Sequence, residues 1–265
     1  MTKILEKVEF SREDRRFGVK IPDLDEPLLA FEIGVHIGDG SLQMIPKGTN
    51  SIRFFGHKED DWKFFLEILP PIIKKLFNKD VKPTKRKDQN TCILSICSKG
   101  VATFMHNIIG LPVGDKNQIQ GLPNFIKENK NLLINCIRGI ADTDFSLTFQ
   151  KDEKGNNKYP TISCTMSNKN LIEDLTSSLE KLGFNVTTQF DVKRERNGKI
   201  NVEHRLQILG TKQIEKWMKL IGFWNPHHMS KFIIWKNFDF YLPHTSLTQR
   251  LSIISAFREP KTKTP

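Results

Sequence analysis

The chain has 265 residues, 38% of them hydrophobic and 27% charged, with a formal net charge of +11 and a pI near 9.4. That length allows one large domain or two small ones with a sizeable core, and the charge favours a polyanionic partner, nucleic acid first. No apolar run is long enough to span a membrane, no basic amphipathic helix stands out, and the start Met1-Thr2-Lys3-Ile4-Leu5-Glu6-Lys7 lacks a signal core. An intracellular protein away from membranes is expected, in a prokaryotic cytoplasm or an organelle matrix. Cys92, Cys97, Cys136 and Cys164 show no CxxC spacing and no cysteine–histidine zinc pattern. They read as reduced, buried thiols.

Residues 1–27 are charged and weakly periodic, an extension with a short strand expected near Phe17-Gly18-Val19. Asp25 or Glu26 with Pro27 starts a helix through Leu28, Leu29, Phe31 and Ile33 to about Gly38. A hairpin follows, Ser41 to Ile45 and Ser51 to Phe55, through Lys47-Gly48-Thr49-Asn50. Glu59-Asp60-Asp61 opens a helix from Trp62 to about Phe77, which Pro70-Pro71 must kink or split. A second hairpin, Val81 to Lys87 and Cys92 to Cys97, leads to a helix from about Val101 to Ile109.

The order then repeats. A helix from Leu132 to Thr143 precedes a hairpin of Ser146 to Lys151 and Tyr159 to Met166. Asn168 or Asn170 caps a helix through Leu171, Leu175, Leu179 and Leu182 that Gly183 ends. A hairpin from Val186 to Arg196 and Lys199 to Leu209 turns at Asn197-Gly198. Thr211 caps a helix through Ile214, Trp217, Met218 and Ile221. Ile109-Gly110-Leu111 closes the first set and Ile221-Gly222-Phe223 the second. Matched landmarks in one order point to an internal duplication.

Each half starts with a Gly five residues before an Asp at a helix end: Gly34 with Asp39, Gly139 with Asp144. Gly34 and Gly38 share one helix face, as do Gly139 and Thr143. Small residues at that spacing let two helix backbones approach, which would bring Asp39 and Asp144 side by side. Two close carboxylates raise each other's pKa, and divalent metal ions remove that penalty. Hard oxygen ligands open to phosphate suit magnesium and phosphodiester hydrolysis. Asp39-Gly40 alone would read as a turn; the duplication favours the site.

The strands alternate. Ser41, Gln43 and Arg53 in the first half, and Ser146, Thr148, Gln150, Thr161, Ser163, Thr165, Arg205 and Gln207 in the second, form polar faces able to meet base edges. Phe55 interrupts the pattern. Basic hairpins, Lys82, Lys85, Arg86 and Lys87, and Lys193, Arg194, Arg196 and Lys199, are candidates for phosphate contact. Lys99 and Lys212 follow the last strand of each half and could assist the cleavage centre, or be ordinary surface lysines. His227-His228 reads as a loop, His36 as packed, and Asp142, matched by Ile37, as a structural or supporting acid.

These features resemble the LAGLIDADG homing endonucleases, on Gly34-Val35-His36-Ile37-Gly38-Asp39-Gly40-Ser41 and Arg138-Gly139-Ile140-Ala141-Asp142-Thr143-Asp144-Phe145-Ser146. The resemblance implies the single-chain form: an α+β fold of two pseudo-symmetric αββαββα halves whose four-stranded antiparallel sheets form a saddle over DNA. Boundaries of 28–111 and 131–240 follow, with a linker at 112–130 and a C-terminal segment and tail at 241–265. The metal-binding acids fall on Asp39 and Asp144, Gly38 and Thr143 offer backbone carbonyls, and two or three Mg2+ ions are shared between the acids. A monomer that cuts both strands of a long double-stranded DNA target is implied. Glu32 and Phe145 depart from the motif without removing an acid. The extension lacks an obvious splicing nucleophile, and the chain ends Lys261-Thr262-Lys263-Thr264-Pro265, so an intron-encoded enzyme is expected. The alternatives are a maturase acting on its host intron RNA and a non-cleaving DNA-binding regulator. Retention of both acids ranks them second and third.

Overall fold

Two long helices carry the motifs, and both end where an acid hands over to a strand. A computed structural model of the chain describes residues 6–46, 48–115, 118–196 and 198–258. The turn residues Lys47 and Asn197 and the terminal Lys261–Pro265 segment lie outside these, as do the side chains of Arg196 and Lys199.

The N-terminal extension forms a short helix, α1 (Arg12–Arg16), in place of the expected strand. Ser11 and Asp14 make a capping box, and Gly18 at φ 61 turns the chain away. Asp14 is buried, and its Oδ2 also accepts from Gly100 N at 3.0 Å, fastening the extension to a later helix start. Helix α2 (Pro27–Asp39) follows, with Glu26 as its N-cap and Pro27 in its first turn. Strands β1 (Gly40–Gln43) and β2 (Ser51–His57) come next. Phe64–Ile68 is a π-helical segment running into α3 (Leu69–Phe77). Pro70 and Pro71 lack N–H donors, which explains the widened turn just before them. Strand β3 is only Thr84–Lys85, shorter than expected because Pro83 cannot donate to the ladder. Strand β4 (Thr91–Cys97) and α4 (Lys99–Asn107) complete the first set. Cys97 is exposed on β4, unlike the other three cysteines, so the expectation of four buried thiols fails there.

Helix α5 (Asn124–Lys127) lies in the connection. The second set is α6 (Lys130–Asp144), β5 (Phe145–Lys151), β6 (Asn157–Met166), α7 (Lys169–Lys181), β7 (Val186–Arg196), β8 (Lys199–Leu209) and α8 (Thr211–Leu220). Gly210, at φ 93, precedes α8, so Thr211 begins that helix rather than capping it. Helices α9 (Pro226–Phe238) and α10 (Leu247–Arg258) follow, the latter where only a tail segment was expected. The sheets are antiparallel with orders β1-β2-β4-β3 and β5-β6-β8-β7. The fold is therefore α+β, built from two αββαββα units. No helix among the described residues is long and apolar enough to cross a membrane.

One residue contradicts its surroundings. Glu32 sits inside α2, 1% exposed, and neither carboxylate oxygen has a hydrogen-bond partner among the described residues. Burial pushes its pKa from 4.5 up to about 8. The folded state thus holds a proton that the unfolded state releases above its ordinary value, and wild-type stability falls as pH rises from 4.5 to about 8. Ile137 occupies the matching turn of α6. Glu32→Ile should stabilise the chain by roughly 2 kcal/mol at pH 8 and much less at pH 5. Denaturant melts at both pH values measure this; an equal gain at both would contradict it.

Candidate active site

Helices α2 and α6 pack through their glycines. A Cβ on Gly34 would stand 2.1 Å from Cys136 O, and one on Gly139 2.1 Å from Phe31 O and 3.0 Å from Gly34 Cα. Only hydrogen fits where backbone meets backbone so closely. At the C-terminal end of this seam, a Cβ on Gly38 would lie 1.9 Å from Thr143 Oγ1 and 2.2 Å from Asp144 Oδ2. The Asp144 carboxylate therefore rests against the residue that precedes Asp39. Both acids are half-buried. Thr143 Oγ1 lies 3.1 Å from Asp144 Oδ2 and 2.9 Å from Ile140 O, tying the acid to its own helix. A cleft of about 280 Å³ opens beside Asp144, lined also by Ile37, Gly38, Thr165 and Asn168.

Among the described residues no group of three or more His, Cys, Asp or Glu side chains could hold a metal ion unaided. Two half-buried carboxylates at the end of the seam leave most of a coordination shell to water and substrate oxygens. That donor set fits a hard ion such as Mg2+, which keeps waters and borrows phosphate ligands.

The loop after α8 braces one side of the seam. Asp142, 1% exposed, accepts from Trp224 N at 2.9 Å and Asn225 N at 3.0 Å. Burial raises its pKa to about 8, against the pull of those N–H groups. Asn225 Nδ2 donates to Asp142 O at 2.9 Å and to Asp61 Oδ1 in the first half at 2.9 Å. Trp224 packs at a tilt against Phe31 of α2, ring centroids 4.4 Å apart, with the Arg138 guanidinium 4.7 Å from its ring. Asp142 is thus a structural acid. His227 and His228 lie in the first turn of α9 rather than in a loop. His227 Nδ1 is 3.1 Å from Asp60 Oδ1, and burial beside Lys231 lowers its pKa to about 4. Asn225→Ala should cost about 3 kcal/mol, since one buried and one half-buried acceptor lose their donor. Urea unfolding reads the loss; unchanged stability would mean that this loop does not join the halves.

Strand register shows which candidates share a face. Ser41, Arg53 and Ser95 align across the first sheet, as do Gln43, Ser51 and Cys97. In the second, Ser146, Ser163, Gln207 and Thr187 align, and Thr165 stands with Arg205 and Gln189. Thr148, Gln150 and Thr161 lie on that same face, turned from the core. Thr161 is only 3% exposed, however, and its carbonyl accepts from Thr148 at 3.5 Å. Ser95, Thr84, Thr187, Gln189 and Tyr159 were missed by the sequence reading, because only the pairing shows which strand positions coincide.

The basic residues divide. Lys82 and Lys87 are exposed, and Arg86 donates to Gln89. Lys85 pairs in register with buried Cys92, and its Nζ lies 4.4 Å over Trp62, so it faces the helix side. Arg194 stands 3.4 Å from Glu203 on the open face, whereas Lys193 pairs with Val202 on the reverse. Lys99 opens α4 in an ion pair with Glu9 at 2.5 Å, and Lys212 is exposed in the first turn of α8. Neither lines the cleft beside Asp144.

Duplicated α/β units with paired sheets, each presenting one motif-helix acid at a shared seam, define the LAGLIDADG homing endonuclease fold. The family model described as LAGLIDADG-like domain matches residues 132–222. Over those residues the chain is similar to the LAGLIDADG family. Uncharacterized protein MJ0314 of Methanocaldococcus jannaschii is 28% identical over 171 residues, 64% of this chain and 59% of that protein. A segment of the glutamine–fructose-6-phosphate aminotransferase of the same organism is 28% identical over 215 residues, covering 80% of this chain but 18% of the enzyme. The chain thus spans less than two thirds of either relative. The crystal structure of the homing endonuclease I-DmoI in complex with DNA and Mn superposes with a TM-score of 0.50 at 20% identity, covering 74% of this chain and 96% of that one.

Proposed function

We propose that the chain is a divalent-metal-dependent endonuclease that cuts both strands of a long DNA duplex and serves a mobile element. The observation that carries this reading is the placement of the Asp144 carboxylate against Gly38, beside Asp39, at the end of the glycine seam. I-DmoI, of like fold, is described with DNA and Mn.

In this reading Asp39 and Asp144 hold the metal ions, with the Gly38 and Thr143 carbonyls completing the protein's share. The bound ions would supply an activated water and neutralise charge on the attacked phosphate. The acids place them, Thr143 steadies Asp144, and the brace at Asp142 and Asn225 keeps α6 from sliding against the first half. The polar sheet faces would meet base edges, while Lys82, Arg86, Lys87 and Arg194 meet phosphates. The match to a segment of a much longer enzyme fits an element carried within host genes.

Incubating supercoiled plasmid bearing the gene's insertion site with the chain and Mg2+ tests the reading. Linear product is expected, with binding that weakens steeply as salt rises. A chain that binds its site tightly and never cuts would favour the regulator, and preferential binding of intron RNA the maturase.

A further inference from the structure

Aligning the sheets on their motif acids exposes an inequality between the halves. Gly40↔Phe54↔Leu94 in the first corresponds to Phe145↔Cys164↔Leu206 in the second. One residue along, on the face turned from the core, the first sheet carries Phe55↔Ile93↔Thr84. The same row of the second sheet is Thr165↔Arg205↔Gln189. The adjoining row is polar in both: Ser41, Arg53 and Ser95 against Ser146, Ser163 and Gln207.

Phe55 and Ile93 are half-buried yet belong neither to the hydrophobic core nor to the side chains packed against it. They form an apolar step on a polar face in a chain of charge +11. In the opposite sheet, the Arg205 Nε is buried without a hydrogen-bond partner among the described residues. Such a donor costs stability unless something brings it an acceptor. Apolar side chains in a major groove select the thymine methyl, Arg selects the guanine O6 and N7 edge, and Gln the adenine edge.

Resting on the DNA reading above, we propose that these two rows read equivalent positions of the two half-sites by opposite chemistry. Phe55, Ile93 and the Thr84 methyl close on the C5-methyl of a thymine. Arg205 and Gln189 hydrogen-bond a purine. The target is then asymmetric at this position, although the fold is pseudo-symmetric.

Selection of bound duplexes from a randomised library by the full chain tests this. At one pair of positions equidistant from the centre, thymine is expected on one side and a purine on the other. In fluorescence anisotropy with the selected duplex, uracil for that thymine should weaken binding about fourfold, the factor for one buried methyl group. Replacing a selected guanine by 7-deazaguanine should cost about tenfold. The row exchange Phe55→Thr, Ile93→Arg, Thr84→Gln should turn the thymine side towards a purine and leave the other side unchanged. If that variant melts early in circular dichroism, the uracil comparison on the wild type decides alone. Equal binding of uracil and thymine, or the same base on both sides, overturns the assignment while leaving the DNA reading intact. A wild type with no sequence-selective binding overturns both.

Discussion

Asp144→Asn should lower double-strand cleavage by roughly a thousandfold or more while leaving DNA binding intact, and Asp39→Asn should do the same. Asparagine keeps the size of the side chain and removes the charge that would hold a divalent ion in the proposed site. Losing the ion's stabilisation of the attacked phosphate forfeits several kcal/mol, and about 4 kcal/mol is a thousandfold in rate. Binding should hold or tighten, because a carboxylate facing phosphate is repelled by it. The measurement is linear product from plasmid, with anisotropy on the same duplex. Cleavage within tenfold of wild type in either variant would remove that acid from the mechanism. The halves are not equivalent: Asp142 braces α6 near Asp144, and Ile37 stands in the matching place near Asp39. Differential loss of the two strand cuts is therefore expected, read as accumulated nicked circle.

Gly139→Ala should destabilise the chain by about 3 kcal/mol, although alanine is the better helix former. The propensity gain is about 1 kcal/mol. Against it stands a methyl group placed 2.1 Å from Phe31 O and 2.8 Å from Val35 N. Both neighbours are backbone atoms of α2, which cannot turn aside as a side chain would, so the helices must part. Guanidinium unfolding settles the sign: a gain in stability would show that α2 and α6 do not touch at Gly139. Parting them would also shift Asp144 relative to Asp39, so cleavage should fall more than stability alone accounts for.

Both predictions draw on features that local residue types announce. Gly34 and Gly38 are spaced for one face of α2 and Gly139 and Thr143 for one face of α6, and the acids follow at fixed distance, so a close seam is legible in the sequence. Helices, hairpins and their order followed from periodicity and caps, with Pro83 shortening β3 and Ser11 with Asp14 making a helix of an expected strand. The surroundings of Lys85, Lys193, Lys99 and Lys212 were not legible for another reason. Charge and position along the chain do not say which way a side chain turns or which partner it meets. Lys85 turned to Trp62, and Lys99 to Glu9.

By itself, the sequence determined the duplication, the element order and an acid at the end of each motif helix, because propensity, periodicity and repeated motifs are local and act within a few turns of chain. Only the tertiary structure decided that Asp144 lies against Gly38, that Asn225 ties Asp61 to Asp142, and that Phe55 shares a row with Ile93 and Thr84. Those contacts join residues far apart in the chain. They depend on strand register and helix packing, where a one-residue slip would send every side chain to the opposite face.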